Sequence, residues 1–501
     1  MDPSTTHSTV ELVLRDTQST DTVNCASGQD TIGWMFWKKR RYVIAFLISF
    51  GFFNAYAMRV NLSVAIVGMT EVRKTSLDNG TIIEEQDFAW DSKDQGLVLS
   101  SFYYGYIWTQ ILGGVLASKF GGHYILGFGI GATAILTLLT PLATNISITG
   151  LVVVRILEGF CEGTTYPAVQ SLLARWAPIY ERSRMSSIGY IGNYVGVFVS
   201  LPVSGFLTVQ YGWESVFYFF GAIGCVWLVM WMVIVRAGPE LDSHISEEEK
   251  NYIKQSLGEV ASEKELMDIP WKAIVTSSAV WALVASNCGE TWGTYTLLTQ
   301  LPTFLKDVMN FQVGATGFLS ALPYLAMSCT LALSGFLADK LQEKGILTTL
   351  QVRRYFNCSA YILEMIFLLL TAHILNPIAC MACVTIAVAF NAFALSGFPV
   401  NPLDLAPNYA SVVWGLSNTI STIPGILSPL LSGYIVTNKT REQWQIVFYI
   451  AAGVYITASV IYWFFAKADL QPWAQKSQQQ KSQPQISNPT TNNSTYPSTK
   501  F

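Results

Sequence analysis

The sequence predicts an all-α membrane protein, with twelve transmembrane helices in two pseudo-symmetric six-helix halves. Three observations carry that prediction. Of 501 residues, 51% are hydrophobic and 13% charged, about half the charged fraction of a soluble domain; the mean hydropathy is +0.37. Twelve apolar stretches reach the roughly 20 residues a spanning helix needs. The second six also repeat features of the first. Gly114-Val115-Leu116-Ala117-Ser118-Lys119 returns as Gly335-Phe336-Leu337-Ala338-Asp339-Lys340, and Ser204-Gly205, Trp213 and Val216-Phe217-Tyr218 return as Ser432-Gly433, Trp444 and Val447-Phe448-Tyr449.

Residues 1–41 are expected to form a disordered cytoplasmic tail, because the stretch is rich in Ser, Thr and Asp and has no apolar segment to bury. Lys38, Lys39, Arg40 and Arg41 stand directly before the first span, and the positive-inside rule keeps that end in the cytoplasm. The N-terminal half, 42–235, holds spans at roughly 42–69, 95–117, 123–143, 149–173, 186–209 and 213–235. A cytoplasmic linker, 236–276, follows. Within it Ser246 and Glu249 have the spacing of a capping box, opening an amphipathic helix that ends near Leu257.

The C-terminal half, 277–466, holds spans at roughly 277–301, 314–338, 354–374, 378–400, 409–437 and 444–466. Residues 467–501, mostly Gln, Ser, Asn and Thr, read as a second disordered cytoplasmic tail. Lys119, Arg175, Arg182, Arg184, Arg236, Lys340, Lys344, Arg353 and Arg354 all fall on the cytoplasmic side of this topology, and the loop at 70–94 is mainly acidic. In that loop Asn79 begins a glycosylation sequon. Asn145 and Asn438 begin others near non-cytoplasmic ends, and Asn61 begins one inside a span.

Six-helix halves repeated in parallel imply a major-facilitator architecture with substrate held between the halves near mid-membrane. The net charge of −3 and the scattering of basic residues beside apolar segments argue against nucleic-acid binding. There is no Walker A loop, H-E-x-x-H or G-x-S-x-G, so no ATPase, zinc-hydrolase or esterase chemistry is indicated, nor any cofactor or metal. Cys380 and Cys383 form a C-x-x-C inside an apolar run, a spacing that suits packing better than redox chemistry.

Charges at membrane depth need a reason. Arg155, Glu158 and Glu162 lie on one flank of the fourth span, within an arc of about 60°. The first two could form a local pair pinning neighbouring helices, but the second carboxylate is surplus to such a pin. Arg59 in the first span suits an anion ligand, since guanidinium stays charged in apolar surroundings and grips carboxylate or phosphate with two bonds. Glu290 lies in the seventh span. Glu364, in the ninth, has no recognisable partner and reads as a packing or snorkelling residue. All four histidines lie in tails, loops or at a span edge, so proton carriage falls to carboxylates. Tyr103, Tyr106 and Gln110 share a face of the second span, with Asn193 in the fifth and Asn418 in the eleventh. These fit either substrate contact or interhelical hydrogen bonding.

Several motifs resemble the anion:cation symporter family of the major facilitator superfamily, the group of sialin, the vesicular glutamate transporters and the sodium-phosphate transporters. They include Arg59-Val60-Asn61-Leu62-Ser63-Val64-Ala65-Ile66, Ser101-Phe102-Tyr103-Tyr104-Gly105-Tyr106, Arg155-Ile156-Leu157-Glu158-Gly159 with Glu162-Gly163, Leu403-Asp404-Leu405-Ala406-Pro407, and Gln471-Pro472-Trp473. The resemblance covers residues 40 to about 474. It implies that Arg59 and Arg155 contact the anion and that Glu158 and Glu162 take part in proton coupling, the paired carboxylates being most like sialin. The sequence also departs from the family. Leu99 stands where the vesicular glutamate transporters carry a histidine, Glu290 where they carry an arginine, and Gln170 where sialin has a histidine.

The expected function is secondary, proton-coupled symport of a small organic anion by alternating access. An acidic sugar such as sialic acid comes first and an acidic amino acid second. Sodium-dependent phosphate cotransport is the close alternative, since arginine binds carboxylate and phosphate alike, and a non-transporting membrane sensor is the more remote one. Expected partners are thus a small anion, a proton or sodium ion and the lipid bilayer, in either a lysosomal or vesicular membrane or the plasma membrane. Setting Arg59 and Arg155 against Glu158, Glu162 and Glu290 leaves the empty site one negative charge in excess. At about 6 Å and an effective dielectric of about 20, that charge opposes anion binding by roughly 3 kcal/mol, so a cation must accompany the anion.

Overall fold

A computed structural model describes residues 39–70, 73–76, 82–85, 87–90, 92–257, 269–308, 313–438 and 440–474. The two expected tails and the Asn79 sequon lie outside the described residues, save for the short stretches where tail joins helix. Helix α1 (Arg40–Thr70) is the first span, α2 (Ser92–Phe120) the second and α3 (Gly122–Ile146) the third. The fourth is α4 (Ile148–Glu162) followed by α5 (Thr165–Trp176), and α6 (Arg182–Tyr211) and α7 (Glu214–Ile234) complete the half. The linker contributes α8 (Glu247–Leu257) and the short α9 (Trp271–Thr276). The second half comprises α10 (Ser278–Asp307), α11 (Val313–Glu343), α12 (Thr349–His373), α13 (Pro377–Gly397), the short α14 (Asn401–Leu405), α15 (Ala410–Ile435) and α16 (Arg441–Phe465).

Eight of these helices are individually long and apolar enough to cross a bilayer. Among the described residues, the spans that fall short are α2, α4–α5, α10 and α15, which bury polar side chains such as Gln110, Glu162 and Glu290. The packing repeats with the sequence. In the first half α1 lies on α6, α2 on α4 and α3 on α7; in the second, α10 lies on α15, α11 on α13 and α12 on α16. The halves meet where α6 packs on α11 and α2 on α15.

Close backbone approach decides several of these contacts. A Cβ on Gly105 would stand 1.9 Å from the Ile156 carbonyl oxygen, and one on Gly159 would stand 1.9 Å from that of Phe102. Glycine at both positions lets α2 and α4 cross with backbones touching. We expect Gly159→Ala to force the helices apart at a cost of about 1–3 kcal/mol, read as a lower melting temperature in detergent. An unchanged melting temperature would show that the crossing has slack.

Three local features differ from the sequence reading. The fourth span is interrupted at Gly163-Thr164, because Pro167 cannot donate to the Gly163 carbonyl; Glu162 is therefore the last residue of α4. The loop between the first and second spans contains an antiparallel hairpin, β1 (Arg73–Ser76) with β2 (Ile82–Glu85), Arg73 opposite Glu85 and Ser76 opposite Ile82. The Asn79-Gly80 pair between the strands is a hairpin signal in the sequence. The linker's capping box is half made. Ser246 Oγ accepts from the Glu249 amide at 3.2 Å, but the Glu249 carboxylate accepts instead from the Arg40 and Arg41 amides and from Arg41 Nη1, at 2.8, 3.1 and 2.9 Å. A carboxylate does more at an unsatisfied helix N-terminus with an arginine beside it than on its own cap amide. Arg41 also pairs with Glu181 and Arg40 with Asp242, so the basic run before the first span ties α1 to the linker.

Candidate functional site

The linker side of the molecule is shut by an ion pair and a set of buried hydrogen bonds between the halves. Asp404, on α14, accepts from Arg182 Nη1 at 3.1 Å across the interface and from Arg353 Nε at 2.8 Å within its own half. Arg353 Nη1 reaches back to Ser183 Oγ at 2.9 Å. Asp339 on α11 accepts the amides of Ser183 and Arg184 at 3.1 and 2.7 Å, which caps the N-terminus of α6 from the opposite half. Replacing Asp404 by Asn leaves two buried guanidiniums without their counter-ion, a loss of about 3 kcal/mol that favours opening on this side. A Ser187→Cys reporter, at the contact of Ser187 with Ser396, should then react at least about tenfold faster with an impermeant maleimide in inside-out vesicles. Equal rates would remove Asp404 from the closure.

Above this closure lies a cavity of about 90 Å³ between the halves. Of the residues singled out from sequence, Arg59, Tyr106, Asn193, Glu290 and Asn418 line it. Arg59 is the only basic residue among the described lining residues. Its Nε donates to Glu162 Oε1 at 3.0 Å and its Nη2 donates to the same oxygen, which leaves Glu162 Oε2 without a partner. The guanidinium lies 4.7, 4.8 and 4.9 Å from the ring centroids of Tyr56, Phe102 and Tyr106. Such aromatic faces attract a cation while shielding it from lipid.

Arg155 and Glu158 are not among those lining residues. Arg155 Nη1 donates to Glu158 at 2.6 Å and to the Met58 carbonyl at 3.4 Å, and its Nη2 donates to the Arg59 carbonyl at 3.2 Å. The other Glu158 oxygen accepts from Thr137 and Thr140 of α3 at 3.0 and 3.3 Å. The structure thus places this pair behind Arg59, holding the backbone that carries it.

The remaining polar residues knit the walls. Asn418 donates to Gln110 Oε1 at 2.9 Å and to the Tyr106 hydroxyl at 3.3 Å, joining α15 to α2 across the halves. Gln110 itself is fully buried. Asn193 donates to the Tyr166 hydroxyl at 2.8 Å, and that hydroxyl meets the Tyr56 hydroxyl at 3.0 Å. Tyr103 lies edge-on to Tyr295 of the opposite half, with ring centroids 5.6 Å apart. Gln170 bridges Tyr190 and the Pro399 carbonyl at 3.0 and 2.9 Å. Sequence reasoning missed the tyrosine lining, in which Tyr56, Tyr166, Tyr190, Tyr194 and Tyr295 join Tyr106. In an apolar span a tyrosine reads as core, and only their recurrence in spans one, four, five and seven could have marked them.

Glu290, 7% exposed, accepts from Thr294 Oγ1 at 3.0 Å and has no basic partner among the described residues. Of the two roles read from sequence for Glu364, packing or snorkelling, the structure excludes the second: it is 0% exposed, because α12 turns it inward against α16 and not toward a lipid interface.

The Major Facilitator Superfamily profile matches residues 42–429. Sialin from Ovis aries is 42% identical over 456 residues, covering 88% of this chain and 92% of its own. Vesicular glutamate transporter 1 from Xenopus tropicalis is 38% identical over 442 residues, covering 88% and 77%. Among solved structures, the major facilitator superfamily proton:xylose symporter XylE bound to 6-bromo-6-deoxy-D-glucose superposes with a TM-score of 0.62 at 14% identity, over 85% of this chain and 96% of that one. This multi-pass membrane protein belongs to the major facilitator superfamily and, within it, to the anion:cation symporters.

Proposed function

We propose that the protein is a proton-coupled symporter of a small organic anion, an acidic sugar first and an acidic amino acid second. The observation that carries this reading is the pairing of Arg59, the cavity's basic residue, with Glu162. An arriving carboxylate and Glu162 compete for the same guanidinium face. A proton on Glu162 cancels its claim on Arg59, so the anion binds the released fork when the proton is present. Proton and anion then enter together, and reversal on the far side releases both.

Organic anion is favoured over phosphate by the balance of the wall. One guanidinium already facing a carboxylate suits a single negative charge, and tyrosine faces with hydroxyls at their rims suit a hydroxylated ring better than a compact dianion. The sequence resemblance to sialin and to transporters named for glutamate supports the same class. Purified protein in proteoliposomes tests it. Radiolabelled sialate or glucuronate is expected to accumulate with an inward proton gradient and not with a sodium gradient. Sodium-driven phosphate uptake would replace this reading, and ligand binding without flux would point to a sensor.

A further inference from the structure

The two halves hold their intramembrane acids differently. In the N-terminal half each of Glu158 and Glu162 has its own arginine. In the C-terminal half Glu290 and Glu364 have none among the described residues. Glu290 lines the central cavity, with Oε1 on Thr294, the Asn391 side chain of α13 beside the carboxylate and Oε2 without a partner at hydrogen-bonding geometry. Glu364 lies deeper, within electrostatic reach of Glu290, and neither of its oxygens has a partner at hydrogen-bonding geometry, although the Tyr455 phenol lies against it.

Among the described residues, no cation faces Glu364 from the elements packed around it. The ionisable groups directed at it are Glu290 from α10, Tyr324 from α11, Tyr455 from α16 and Tyr361 on its own helix. Helix α13, which packs along α12, carries no charged residue, only Cys380 and Cys383. An ionised carboxylate with no partner at this depth is one of the most costly groups a protein can bury. A second negative charge at Glu290 raises that cost. Packing alone would be served by leucine or glutamine.

We propose that Glu364 is a proton-binding site of the C-terminal half, filled from the central cavity through Glu290 and separate from the Arg59–Glu162 exchange. A proton from cavity water forms an O–H bond on the Glu290 carboxylate. Transfer breaks that bond and forms one on Glu364, leaving Glu290 ionised and open to the next proton. Tyr455 is placed to donate to the Glu364 carboxylate whenever it is ionised. The proposal rests on the proton-coupled reading above and adds to it a second proton per cycle, carried by the half that does not hold Arg59.

Two measurements on the full chain test this. In proteoliposomes with the membrane potential clamped at zero, each coupled proton multiplies steady-state anion accumulation about tenfold per unit of pH gradient. Glu364→Gln, which has the shape of the protonated acid, is expected to lower the accumulation ratio of glucuronate about tenfold at a one-unit gradient. An unchanged ratio overturns the proposal. Independently, dicyclohexylcarbodiimide, which adds to protonated carboxyls in apolar surroundings, is expected to label Glu364 of the unmodified protein at neutral pH and less at alkaline pH, as read by mass spectrometry. Absence of labelling at both values overturns the proposal as well. Should the unmodified protein show no acid-driven accumulation, the symport reading fails while the labelling still decides whether Glu364 binds a proton. The labelling decides in the same way if Glu364→Gln does not fold.

Discussion

Arg59→Lys is expected to remove most anion uptake although the charge is kept. Lysine offers a compact ammonium on a flexible stem, whereas the arginine fork sets two donors in one plane and lies against three aromatic rings. Losing one charge-assisted bond to the anion costs roughly 2–3 kcal/mol, about 30- to 150-fold in apparent affinity. The check is the concentration for half-maximal uptake in proteoliposomes at matched protein content. Parent-like kinetics would remove Arg59 from the binding site.

Glu162→Gln is expected to separate anion binding from the proton. Under the proposed exchange, acid neutralises Glu162 in the parent and frees Arg59, so anion affinity is expected to rise as pH falls. In the variant position 162 is neutral at every pH, so affinity at alkaline pH should exceed the parent's and its pH dependence should flatten. Acid-driven accumulation should fall at the same time. Glu158→Gln gives a contrasting result. Its carboxylate pairs with Arg155 and takes two threonine hydroxyls of α3, and breaking a buried pair of this kind costs about 3–5 kcal/mol. Loss of stability and expression is therefore the main expected effect there. If the two variants behave alike, the distinction between a coupling acid and a positioning acid does not hold.

The architecture was legible because the bilayer imposes a strong rule on composition, and because the repeated segments fall at equivalent places in the two halves. Gly114 to Lys119 and Gly335 to Lys340 end α2 and α11, so their likeness reports the fold symmetry directly. The cluster on the fourth span was legible as a cluster, since three charges on one helical flank need partners. Which arginine takes which acid was not, because that depends on how α1 crosses α4. A spacing of three favours Arg155 with Glu158, but nothing in the spacing brings Arg59 to Glu162 from 103 residues away. Whether Glu364 packs or snorkels was not legible for a related reason. An isolated acid in an apolar run looks the same in sequence whether its helix turns it to lipid or to a neighbouring helix, and only the packing of α12 on α16 settles the direction. The half-made capping box at Ser246 shows the same limit, since its glutamate is recruited by a helix about 200 residues earlier.

The central claim, that a proton enters with the anion, is tested most directly by watching the proton itself. Proteoliposomes enclosing a pH-sensitive dye, with no initial pH or sodium gradient and with the membrane potential clamped, receive glucuronate on the outside. Acidification of the lumen that depends on the protein and is much reduced in Glu162→Gln is the predicted result. Anion entry with no change in internal pH would contradict it.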